Sequence, residues 1–87
     1  MNSKNKKLLK LVFEDPVRAD LEWREIERLY KALGGDVSEG SGFRVRVLLN
    51  GRVAIFHRPH PEKTTSKAAL KSVRLFLSNA GIKQEVE

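Results

Sequence analysis

Phe43-Arg44-Val45-Arg46-Val47-Leu48-Leu49-Asn50-Gly51-Arg52-Val53-Ala54-Ile55-Phe56-His57 is the stretch on which the fold reading turns. Phe43, Val45, Val47 and Leu49 alternate with Arg44, Arg46 and Leu48, the period of two that a half-buried strand requires. Asn50-Gly51 is a strong signal for a two-residue type I′ turn, because both residues tolerate positive φ. Arg52 to His57 is then the return strand. Such a turn fixes the register: Leu49 faces Arg52, Val47 faces Ala54 and Val45 faces Phe56. These pairs, together with Phe43, are expected on the covered face. Arg46 opposite Ile55 and Arg44 opposite His57 fall on the other face.

Upstream, Ile26, Leu29, Tyr30 and Leu33 recur at helical spacing within Leu21 to Leu33, and Gly34-Gly35 supplies the stop. A short strand is expected around Asp36 to Ser38, where Val37 is flanked by turn-forming residues. Trp23 reads as a core or capping residue in preference to one that stacks on a nucleobase. Nearer the start, Leu8 with Val12 and Leu9 with Phe13 recur at i, i+4, which predicts an amphipathic helix over Lys4 to Phe13. Pro16 disfavours helix at Asp15 and separates the two elements. Docking on the core is the favoured reading of this first helix over a free partner-binding arm.

Downstream, Thr64, Thr65 or Ser66 caps a last helix running to about Asn79, closed by Gly81. Its apolar face is Ala69, Val73, Phe76, Leu77 and Ala80, and Lys67, Lys71 and Arg74 form a basic stripe on the other side. The order α, α, β, β, β, α gives an α+β fold, a three-stranded antiparallel sheet covered by helices on one face. Residues 1–20 read as a helical extension, 21–82 as the domain and 83–87 as a frayed tail.

The chain has 87 residues, enough for one core, and is 40% hydrophobic and 32% charged, a globular balance. It has no cysteine, which excludes disulfides, thiolate metal sites and a cysteine nucleophile. No apolar run approaches the roughly 20 residues of a membrane span. The basic start followed by Leu8 to Phe13 superficially looks like a signal peptide. However, Lys10 interrupts the apolar part, and Glu14-Asp15-Pro16 stands where a cleavage site should lie, so a cytoplasmic location is expected.

The formal net charge of +6 is unevenly distributed. Gly40 to Lys83 carries nine Lys or Arg and one acid, Glu62, whereas Asp15 to Glu39 carries seven acids and four bases. A folded surface of that kind attracts polyanions, and RNA is the expected partner. Arg44, Arg46, Arg58, Lys63, Lys67, Lys71 and Arg74 are the candidate RNA-binding residues. His57 and His60 are the candidate catalytic residues, since imidazoles beside a phosphate can transfer protons. His60 lies in Arg58-Pro59-His60-Pro61, a stiffened loop leading to the N-terminus of the last helix, whose unpaired N–H groups favour anions. Two histidines and Glu62 make no recognisable metal-ligand set, and no cofactor is expected. Leu48, Val53 and Ile55 share the uncovered face with Arg44 and Arg46, which opens it to a partner protein or a homodimer contact.

Ala32-Leu33-Gly34-Gly35, Glu39-Gly40-Ser41-Gly42-Phe43, Pro59-His60-Pro61, Lys71-Ser72-Val73-Arg74 and Asn79-Ala80-Gly81-Ile82, in that order, resemble the HicA toxin family over about Trp23 to Ile82. The resemblance implies an α-β-β-β-α fold like that of double-stranded-RNA-binding domains, with the N-terminal helix as an addition. It also implies an mRNA interferase, an endonuclease acting as the toxin of a type II toxin–antitoxin pair and neutralised by a HicB antitoxin. In typical members a catalytic histidine follows the Gly-Ser. Here Gly42 takes that place, so no catalytic role transfers to position 42. His57, expected opposite Arg44 on the neighbouring strand, is the displaced candidate for general base. His60 or Arg44 would stabilise the developing charge.

Overall fold

The computed structural model describes residues 1–82, and the predicted C-terminal tail, 83–87, lies outside them. The elements are α1 (Ser3–Val12), α2 (Trp23–Ala32), β1 (Asp36–Glu39), β2 (Arg44–Leu49), β3 (Arg52–His57) and α3 (Lys67–Asn79). The sheet is antiparallel in the order β1-β2-β3. Asn50 and Gly51 have φ of 50° and 78°, as a type I′ turn needs. The β2–β3 pairs are those expected, from Leu49 with Arg52 to Arg44 with His57. The Asn50 amide also donates to Ala80 O at 2.8 Å, tying the hairpin tip to an otherwise unpaired carbonyl at the end of α3.

Period-two alternation puts Val45, Val47, Leu49 and Phe56 in the core, and Arg44, Arg46, Val53, Ile55 and His57 on the open face. The core aromatics interlock: Phe56 lies 5.6 Å from Trp23, 5.7 Å from Tyr30 and 5.7 Å from Phe76 between ring centroids. Ile26, Leu29, Leu70, Val73 and Leu77 are fully buried around them. Burying Tyr30 raises its phenol pKa well above the ordinary range, with the charge of Glu27 adding to the effect.

One expectation on the sheet fails. Phe43 does not join the covered face and is 53% exposed. The strand starts one residue later, because Ser41 to Phe43 form a turn in which Gly42 has φ of +64°. A left-handed residue resets the direction of the chain, so alternation cannot be carried back across it.

The N-terminal helix docks. Leu8, Leu9 and Val12 belong to the same hydrophobic core as the rest of the chain. Asn2 caps α1 by accepting from Asn5 N–H at 2.9 Å. At the other end Arg74 of α3 donates to Val12 O and Glu14 O and pairs with Asp15 at 3.1 Å. Carbonyls at a helix C-terminus lack partners within the helix and favour a cation, which explains why the third residue of the expected basic stripe turns inward. The base of the domain is closed by a short bridge. Trp23 N–H donates to Lys63 O at 2.9 Å and Thr65 N–H to Leu21 O at 2.7 Å, bringing the start of α2 beside the start of α3. Ser66 caps α3 by accepting from Ala69 N–H at 3.1 Å.

Candidate functional site

Arg44 and His57 are directly opposed on the open face of the sheet, and both are exposed. Arg46 lies two residues further along β2 on the same face. Arg44 and Arg46 make no ion pair among the described residues, so their guanidinium groups are available to an anionic ligand. Lys63, Lys67 and Lys71 are exposed on the loop before α3 and on the helix itself.

The chain beyond β3 holds the second histidine. Arg58 N–H donates to Phe43 O at 2.7 Å, which carries the hairpin pairing one step past the strand. His60 then stacks on Phe43, with centroids 4.4 Å apart and planes 17° from parallel. His57 and His60 line one open concavity of about 440 Å³ at the N-terminus of α3, together with Trp23, Thr65 and Ser66. The Thr65 hydroxyl there is buried and has no hydrogen-bond partner. Neither imidazole makes a side-chain hydrogen bond among the described residues, so their ring nitrogens can meet a ligand. A neighbouring groove of about 460 Å³ between β3 and α3 is lined by Val53, Ile55, Leu75 and again His57.

Two expected RNA contacts are spent inside the protein. Arg58 bonds Glu27 of α2 through Nε at 2.8 Å and Nη2 at 2.9 Å, and Glu39 of β1 through Nη1 at 2.6 Å. Those bonds and charges raise its pKa further above the ordinary arginine value. Burial opposes ionisation of Glu27, but hydrogen bonds from Arg58 and Trp23, with the charges of Arg58 and Lys31, outweigh it and hold the carboxyl below its usual range. Arg58 therefore clasps α2, β1 and the end of β3. Arg74 is similarly committed to the end of α1. Neither commitment is visible in the local sequence, because the groups that hold Arg58 and Arg74 lie far away along the chain.

Among the described residues no group of three or more His, Asp or Glu side chains is arranged to hold a metal ion. No described helix is long and apolar enough to cross a membrane. Gly42, beside this constellation, has no heavy atom within 4 Å of where a side chain would start.

Neither a curated protein nor a solved structure matches the chain. Residues 23–82, from the first residue of α2 to three residues past the end of α3, match the family described as HicA toxin of bacterial toxin–antitoxin. That match covers the sheet, both histidines and the clasp, and the chain belongs to the HicA toxin family.

Proposed function

We propose that this toxin acts on RNA as a metal-independent endoribonuclease whose reactive groups are grouped around His57. The observation that carries the reading is the opposition of Arg44 and His57 on the open sheet face, with His60 sharing the concavity His57 lines. Arg44 holds a phosphate oxygen. His57 takes the proton from the adjacent ribose 2′-OH, and the oxygen attacks phosphorus. The bond to the 5′-oxygen breaks, and His60 supplies the proton that this leaving group needs. The products are a 2′,3′-cyclic phosphate and a 5′-hydroxyl end. Arg46, Lys63, Lys67 and Lys71 attract the flanking backbone, and the unspent Thr65 hydroxyl with the α3 N-terminus favours an anion in the concavity. A HicB-like antitoxin would neutralise the toxin by covering this face, where Leu48, Val53 and Ile55 offer apolar contact beside the charges.

The test is cleavage of single-stranded RNA with chelator present, comparing the parent with His57→Ala. Loss of one general base costs about 10²–10⁴-fold in rate. Equal cleavage by His57→Ala removes the assignment. Gly42, standing where the family pattern has its catalytic histidine, favours a second reading in which the protein binds RNA without cutting it. Binding by the parent with no cleavage at all would establish that reading.

A further inference from the structure

Among the Phe, Tyr and Trp rings of the described residues, Phe43 alone is exposed. Trp23, Tyr30, Phe56 and Phe76 are buried in the core, and Phe13 packs against it. Its position is fixed rather than accidental. Gly40 N–H donates to Arg44 O at 2.9 Å and Arg44 N–H to Ser41 O at 3.2 Å, closing the turn that displays it. Its own carbonyl is tied to Arg58, and His60 lies parallel to its ring at 4.4 Å. A ring so held loses little freedom when it gains a partner, which is the condition for a preorganised contact. Half of its surface is nevertheless open to water. The next residue is Arg44, and the nearby Glu39 carboxylate is engaged by Arg58, so the surroundings favour an anionic ligand.

We propose that Phe43, backed by His60, is a stacking site for one unpaired nucleobase, next to the phosphate position at Arg44 and His57. The inference rests on the RNA reading above and adds to it a substrate requirement. The face of a base is accessible only where the strand is unstacked, so this site selects single-stranded RNA over an intact duplex. It also fixes the base adjoining the attacked phosphate. Phe43 is thus a positioning residue, and its contribution is read first in binding.

The experiment measures fluorescence anisotropy of a labelled short RNA carrying 2′-O-methyl groups, so that binding is read without cleavage. Parent, Phe43→Ala, Phe43→Leu and Phe43→Tyr are compared, each checked by thermal melting. Alanine and leucine should weaken binding by about 5- to 150-fold, and tyrosine should preserve it, because the contribution is that of a ring face. An abasic nucleotide walked along the RNA should weaken the parent at one position and leave Phe43→Ala unaffected there. Phe43→Ala binding as tightly as the parent overturns the proposal. Leucine binding like the parent does the same, since it would make the contact merely apolar. So does a loss confined to antitoxin binding, which would assign the ring to a protein interface. Failure of the parent to bind any RNA overturns the underlying reading instead, and the two failures are told apart by the parent alone.

Discussion

Replacing Arg58 with methionine separates the structural from the functional use of a basic residue. The side chains of Arg58 and Glu27 are 29% and 14% exposed, so their double hydrogen bond is partly shielded from water. Bonds to charged groups contribute about 1.5–3 kcal/mol each when fully shielded, and the partial exposure of both side chains cuts the pair to roughly half of that sum. The contact to Glu39, which is 70% exposed, adds a few tenths of a kcal/mol after screening. Methionine leaves Glu27 with the Trp23 indole N–H as its remaining close donor, in a site where burial already opposes its charge. A loss of about 2–3 kcal/mol follows, a large share of the stability of a domain this small. It corresponds to a fall in Tm of about 10–20 °C for a chain of this size. Thermal denaturation by circular dichroism should show it. Glu27→Gln combined with Arg58→Met should cost less than the two single changes added together. RNA affinity of the folded variant should stay within about twofold of the parent, well under one tenfold step. A variant that melts with the parent but binds RNA poorly would refute the clasp and return Arg58 to the RNA surface.

The same carboxylate predicts acid sensitivity. Glu27 has a lowered folded-state pKa, so it stabilises the fold above its ordinary value of 4.5 and loses that contribution as pH falls below it through the depressed folded value. Tm measured against pH should drop through that range, and Glu27→Gln should flatten the drop; an unchanged slope would remove Glu27 as the cause. The docking of α1 is tested by Leu9→Ala, which empties a buried position and should cost about 2–5 kcal/mol. A change below about 1 kcal/mol would mean that the helix detaches at little cost and does not share the core.

The hairpin was legible because two local signals agree. Period-two patterning marks both strands, and Asn50-Gly51 fixes their register, which puts Arg44 opposite His57 without reference to the rest of the fold. Capping and Gly signals likewise located α2 and α3 within a residue or two of their observed ends. The errors share another cause. Arg58 meets Glu27 and Glu39, and Arg74 meets Asp15, through approaches made only after the elements pack, and no local periodicity encodes them. Phe43 was misplaced by extending alternation through Gly42. A signal for its stack did exist: continuing the register by one pair puts Phe43 opposite Arg58, two residues from His60.

Gly42 explains why the site departs from the family pattern without losing its surroundings. Its φ of +64° suits glycine, and a side chain there would occupy open space at a backbone cost of about 1 kcal/mol. The turn therefore leaves Phe43 exposed and carries no imidazole of its own. The two histidines instead come from the other side of the hairpin, His57 at the end of β3 and His60 in the loop beyond it. The Arg58 bond to Phe43 O draws that loop back across the turn. This arrangement brings two imidazoles to one concavity, with His57 opposite Arg44, and needs no histidine at 42 to do so. The Arg58 side chain, clasped to Glu27 and Glu39, anchors the start of the loop that carries His60.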